Sequence, residues 1–182
     1  MPVAKTRQIA GYHEVTHYLH DVMNPSTVER LDQMGDLLRV DAATRVLDIA
    51  CGYGELLLRW WERHGSTGMG VDSAGYTIRR AREQKAKRAP EASIDFMQGR
   101  GEEYQTDERF DVASCVGASW VWGGYEGTLD ALRRLAKPGG ILICGELYVA
   151  ETPPDDYLEL SPQSPRSHST TVTESHRSGG WV

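Results

Sequence analysis

The chain has 182 residues, 40% hydrophobic and 25% charged, with a formal net charge of -6; that is length for one domain with a real core, in an ordinary globular composition. The acidic balance argues against a nucleic-acid partner, whose phosphates would repel it. Three cysteines, Cys51, Cys115 and Cys144, lie far apart in apolar runs with no C-x-x-C pair, the pattern of free thiols in a reduced compartment and not of a disulfide or zinc framework.

No leading segment reads as a secretory h-region, and no run approaches the roughly 20 apolar residues that span a bilayer. A cytoplasmic protein without membrane contact is expected. Residues 1–11 read as a tail, followed by a helix from about Tyr12 to Val22 that Asn24-Pro25 breaks. Ser26-Thr27-Val28-Glu29 has the S-x-x-E form of a capping box. Val28, Leu31, Met34, Leu37 and Leu38 then recur at helical spacing. Residues 1–40 are thus expected to form a helical cap.

From residue 41 to 150 the pattern predicts a core of short apolar strands alternating with helices. The strands are Arg45 to Ala50, Gly68 to Asp72, Ser93 to Gln98, Phe110 to Val116 and Ile141 to Leu147. The helices run from Glu55 to His64 with Gly65 as stop, from about Gly75 to Arg88 before Pro90, and from about Tyr125 to Ala136. Pro138-Gly139-Gly140 reads as the turn into the last strand. Strands separated by helices favour parallel pairing with right-handed crossovers, hence an α/β, Rossmann-like, doubly wound, three-layer sheet with its ligand at the carboxyl strand ends. Arg79, Arg80, Arg82, Lys85, Lys87 and Arg88 are expected to be a solvated helix face. Residues 151–182, rich in Ser, Thr and Arg beyond 160, read as a tail or the incomplete end of the sheet.

The strongest signal is Val46-Leu47-Asp48-Ile49-Ala50-Cys51-Gly52-Tyr53-Gly54, a strand passing through glycines into a helix. Glycines there let a ligand approach the backbone, and the helix offers unpaired N–H groups. A dinucleotide fingerprint is not met, because Leu57 or Glu55 stands where its third glycine is required. Asp72, ending the next strand, suits a ribose whose two hydroxyls each donate a hydrogen bond to a carboxylate.

VLDIACGYG resembles motif I of the class I S-adenosylmethionine (SAM) dependent methyltransferases, D/E-x-G-x-G-x-G; Gly52 and Gly54 match it and Ala50 replaces the first glycine. GMGVDSAGY, FDVASCVGASW and LAKPGGILICGE resemble that family's second, fourth and fifth strand motifs, in the same order. The resemblance implies SAM as cofactor, held by Asp48, Ala50, Cys51, Gly52, Gly54, Asp72, Ser73, Gly101, Glu102, Val116 and Gly117. It implies Asp72 on the ribose. After the third strand Arg100 stands in the slot for the acidic residue at the adenine, with Glu102 as its substitute. Segments MNPSTVERLDQM, GASWVWGGYEG and GELYVAETPP are similar to small bacterial members of the family, which implies a small-molecule acceptor. Family members finish the sheet with strands six and seven; here these are expected to be missing, and the exposed edge would favour pairing into a homo-oligomer.

In-line methyl transfer draws on alignment and exclusion of water and needs a base only if the acceptor must lose a proton. Candidates for that base are His17, His20, Glu146 and Tyr148, and Trp120, Trp122 and Tyr125 are candidates for the acceptor wall. Two other readings stand behind this one. The replaced glycine, Arg100 and the short C-terminus would suit a non-catalytic or inactive methyltransferase-like binding protein. His13-Glu14-Val15-Thr16-His17 spells H-E-x-x-H, which in a zinc hydrolase binds metal through the histidines and activates water through the glutamate. Only twelve residues precede it, too few for a sheet before it, so no metal is expected.

Overall fold

The computed structural model describes residues 14–17, 19–24 and 26–146. Its strands are β1 (Arg45–Ile49), β2 (Thr67–Asp72), β3 (Ile94–Gln98), β4 (Phe110–Val116) and β5 (Ala136–Gly145). They pair in the order β3-β2-β1-β4-β5, every pair parallel. Among the described residues the longer α-helices that accompany them are α1 (Val28–Leu37), α2 (Glu55–His64), α3 (Gly75–Arg88) and α4 (Tyr125–Leu135). The expected doubly wound sheet is present, with β1 at its centre and the strand order reversing between β1 and β4, where open α/β sheets bind ligands. No helix among the described residues is long and apolar enough to cross a membrane.

Side chains alternate across β1 and so divide the core in two. Val46 packs with Leu31, Leu57, Trp60 and Ile78 from α1, α2 and α3. Leu47 and Ile49 pack on the other face with Phe110, Ala113, Cys115 and Leu132 of α4. This two-sided burial explains why β1 and β4 read as nearly continuous apolar runs. Trp60 is fully buried, and its indole N–H donates to the Leu31 carbonyl at 2.8 Å, joining α2 to α1. The same helices are joined by Arg59 to Asp32 (2.7 and 2.5 Å) and Arg63 to Asp36 (2.9 Å).

Several local expectations are corrected. The N-cap of α1 is Thr27 in extended conformation, its hydroxyl accepting from Arg30 N–H at 3.3 Å; the expected Ser26–Glu29 capping box gives way to this simple cap one residue later, where Arg30 stands in place of the box's glutamate. The helix expected over Tyr12–Val22 is shorter: among the described residues helix covers 14–16, and the chain bends over 21–24. Pro138-Gly139-Gly140 does not precede β5 but lies inside it. Phe110 pairs with Ala136 and Val112 with Ile141, so the extra residues bulge outward with Gly139 at φ +79°. The basic face of α3 is not simply solvated. Arg88 binds Glu55 (2.6 Å) and Glu62 (2.8 Å), Arg82 donates to the Phe96 carbonyl (2.6 Å), and Arg80 stacks on the Tyr53 ring at 4.1 Å. Leu147, Tyr148 and residues 149–182 lie outside the described residues.

Candidate active site

The turn from β1 into α2 is built on left-handed backbone: Ala50 (φ +58°), Gly52 (φ +54°) and Gly54 (φ +77°). Gly54 caps α2 without a side-chain partner for the helix's first N–H groups, which leaves that end polar and positive. A methyl group on Gly54 would come within 2.5 Å of the Phe96 ring, so glycine there is demanded by packing as well as by φ. Ala50 adopts the same hand with a Cβ, at a typical cost of about 1–2 kcal/mol.

Asp72 ends β2 and holds two turns at once. Its Oδ2 accepts from Gly52 N–H at 2.9 Å and its Oδ1 from Ala74 N–H at 2.8 Å. The alternation that sends Leu47 and Ile49 to the α4 side turns Asp48 to the other face, where its register partner Ser114 donates to it at 2.5 Å. Burial pushes the Asp48 carboxyl up to about 7; the Ser114 hydroxyl acts against this and the nearby Asp72 charge adds to it.

Above these strand ends lies a cavity of about 700 Å³, of the size that holds a drug-sized ligand. Asp48, Ala50, Cys51, Gly52, Asp72, Ser73, Val116 and Gly117 line its floor. The far wall comes from His17, from residues 21–24 and from Trp120. The segment at 23–24 lies directly on both glycine turns: a Cβ on Gly52 would stand 3.1 Å from Met23 Sδ, and one on Gly117 would stand 2.9 Å from Asn24 Cβ. Tyr53 ties this segment down by donating from its phenol to the His17 carbonyl at 3.3 Å.

Of the sequence-derived candidates, His17 reaches the cavity, with Nδ1 3.0 Å from Thr16 Oγ1. His20 stacks edge-on against His17 at 5.4 Å but does not line the cavity. Glu146 also stands outside it and accepts from Ser119 N–H at 2.5 Å. Gly54 serves the helix cap. Gly101 packs beneath the loop, where a Cβ would meet Ile49 Cγ2 at 2.6 Å, and Glu102 is exposed and paired with Arg100 (2.8 Å to Nε). None of these three lines the cavity. Tyr148 and His13 lie outside the described residues; Glu14 is exposed, and no group of three metal-binding side chains occurs among the described residues.

Sequence reasoning missed Tyr53, Tyr76, Met23 and Asn24 as lining residues. Tyr53 could have been found, since it sits between the two glycines of the turn. Burial pushes the Tyr76 phenol up to about 12, raises Tyr53 and lifts the Cys51 thiol well above its usual range. These three groups therefore stay protonated near neutral pH and serve as hydrogen-bond donors or packing groups, not as bases.

Residues 46–140 match the family model described as a methyltransferase domain. The Escherichia coli (strain K12) protein YjhP is 36% identical over 134 residues, 74% of this chain and 54% of its own. A crystal structure of a SAM-dependent methyltransferase from Geobacter sulfurreducens, in complex with S-adenosyl-L-homocysteine, superposes with a TM-score of 0.76 at 36% identity, covering 80% of this chain and 58% of that one. A ubiquinone biosynthesis O-methyltransferase from Nitrobacter winogradskyi is 27% identical over 142 residues, 78% of this chain and 53% of its own. The chain spans a little over half the length of these relatives.

Proposed function

This chain belongs to the SAM-dependent methyltransferase family, and on that premise we propose that it binds SAM across the carboxyl ends of β1 and β2 and methylates a small-molecule acceptor in the same cavity. The observation that carries the reading is that one cavity joins the turn at Ala50, Cys51 and Gly52 and the Asp72 carboxylate to a wall that includes His17, Tyr53 and Trp120. The floor suits the cofactor: Asp72 retains lone pairs for ribose hydroxyls, and the uncapped end of α2 leaves backbone N–H groups beside the cavity. The wall is aromatic and largely apolar, as small-molecule sites are. Support for a small acceptor also comes from the quinone-pathway relative and from the acidic balance of the chain.

The bound cofactor supplies an electrophilic methyl: its carbon joins the acceptor atom while the carbon–sulfur electron pair stays on sulfur, leaving S-adenosyl-L-homocysteine. The protein contributes placement. Asp72 fixes the two turns that would orient the cofactor, and Asp48 adds to the cavity floor an acidic group that burial pushes up to about 7. His17 and residues 21–24 cover the strand ends and keep water from the transfer. His17, the imidazole in the wall, takes the proton of an acceptor that must lose one.

Calorimetric titration with SAM and with S-adenosyl-L-homocysteine tests this. Saturable binding of both near one per chain is expected; binding of neither would overturn the reading.

A further inference from the structure

We propose that Trp120 is the acceptor-recognition residue, a platform on which the planar aromatic ring of the acceptor stacks, and that Glu146 is the positioning residue that holds this platform at the cavity. The proposal rests on the methyl-transfer reading above. Trp120 lines the cavity and yet is 73% exposed, whereas Trp60 is fully buried. An indole this open on a cavity wall presents a large apolar face that a flat ligand would cover favourably.

The loop that presents Trp120 is not loose. Glu146, at the end of β5, accepts from Ser119 N–H at 2.5 Å. The hydroxyl of Thr128, buried in α4, lies between the Gly124 carbonyl (2.9 Å) and the Ser119 carbonyl (3.2 Å) and donates to one or the other, and Gly124 N–H donates to the Ser119 carbonyl at 2.9 Å. Gly117 N–H is bound to the Gly145 carbonyl at 2.7 Å, which fixes the loop's other end to β5. Gly127 lets α4 pass close beneath, where any Cβ would stand 2.1 Å from the Trp122 carbonyl. The residue before Trp120 is thus held from β5 and α4 together, while the indole itself is left open. An exposed ring on a rigid backbone is a preorganised binding surface, because little entropy remains to be lost when a flat ligand covers it. The same cavity is lined by Tyr53 and Tyr76, edge to face at 6.5 Å, with phenols that stay protonated. A flat ring with a polar substituent fits this wall: its face meets Trp120 and its oxygen or nitrogen meets donors or the His17 imidazole.

The test uses the full chain saturated with S-adenosyl-L-homocysteine and titrated calorimetrically with 2-naphthol, with the saturated alcohol 2-decalol as the non-planar control. Expected results are saturable 2-naphthol binding, about tenfold tighter than 2-decalol, a loss of about tenfold in Trp120→Ala and near-complete retention in Trp120→Phe. Glu146→Ala should lose 2-naphthol affinity about as Trp120→Ala does, and Glu146→Gln, which keeps an oxygen for Ser119 N–H, should recover most of it. Affinity for S-adenosyl-L-homocysteine should stay within about twofold in all four variants. Absence of 2-naphthol binding to a protein that binds S-adenosyl-L-homocysteine, equal binding of 2-decalol, or unchanged affinity in Trp120→Ala would each overturn the platform. Glu146→Ala matching the unsubstituted protein would overturn the positioning role. Failure of the unsubstituted protein to bind S-adenosyl-L-homocysteine would instead bring down the methyl-transfer reading, and this proposal with it.

Discussion

The Asp72 carboxylate and the Gly52 amide, twenty residues apart in sequence, meet at 2.9 Å and lock the β2 terminus to the glycine turn after β1. With its other oxygen on Ala74 N–H, Asp72 is both a scaffold for the turn and the acidic group facing the cavity. Its removal should therefore cost twice. Asp72→Ala is expected to weaken S-adenosyl-L-homocysteine binding by about 1.5–3 kcal/mol and to lower folding stability by about 1–2 kcal/mol. Asp72→Asn keeps one carbonyl oxygen and should recover part of the stability but little of the affinity. Calorimetry and urea unfolding read the two losses separately; unchanged affinity in a folded Asp72→Ala protein would remove Asp72 from the site.

Asp48 makes the protein's stability depend on pH in a stated direction. In the unfolded chain it titrates near 3.8; burial in the fold raises this to about 7. Between those values the folded state holds the proton more tightly, so this residue's contribution falls as pH rises from about 4 to 7 and is level above that. Asp48→Asn removes the titration while keeping an oxygen for the Ser114 hydroxyl. Its stability relative to the unsubstituted protein should rise across that window by on the order of a few kcal/mol. Urea unfolding at pH 5 and pH 8 checks this, and a difference that does not grow with pH would refute it.

Much of the scaffold was legible because its punctuation is chemical. Gly65, at φ +76°, ends α2 where the sequence places a stop, and α3 ends two residues short of Pro90. The two strands nearest the switch point declared themselves by apolar runs that burial on both faces requires. Less legible were features set by distant partners. Pro138-Gly139-Gly140 reads as a turn in isolation, yet pairing with β4 draws it into β5 as a bulge. The cations of α3 read as solvated, although Arg82 and Arg88 find partners 14 and 33 residues away. At the site, Gly52 and Asp72 announced themselves by type and spacing. Met23 and Asn24 did not, because their place over the glycine turns follows from a bend with no periodic signature.

Ala50 stands in left-handed backbone where the family motif has glycine. Ala50→Gly releases a steric cost of about 1–2 kcal/mol and adds about 0.5–1 kcal/mol of unfolded-chain entropy. The net expectation is a stability gain of up to about 1.5 kcal/mol, less whatever the methyl contributes by packing on the α4-side core, with S-adenosyl-L-homocysteine affinity equal or tighter because Ala50 lines the cavity. Thermal unfolding and calorimetry test it; a clear loss of stability would mean that the Ala50 methyl makes contacts worth more than the strain.

The docking of α1 onto α2 should matter to the site through Leu31, which packs in the core and lines the cavity. Arg59 grips both oxygens of Asp32, at 2.7 and 2.5 Å, with side chains only 25% and 16% exposed. The paired arginine holds the Asp32 carboxyl below its usual range, and the carboxylate raises Arg59 in turn, so each partner favours the other's charged form. A two-pronged pair this shielded is worth more than a surface ion pair, and breaking one side leaves the other charge partly desolvated. Arg59→Ala and Asp32→Ala are each expected to lower stability by about 1–3 kcal/mol. The double variant should lose clearly less than the sum, since the second substitution removes a charge that the first had stranded. Urea unfolding of the four proteins closes this cycle. A coupling energy near zero would mean that the Trp60–Leu31 contact and the Arg63–Asp36 pair hold the helix without help from this ion pair.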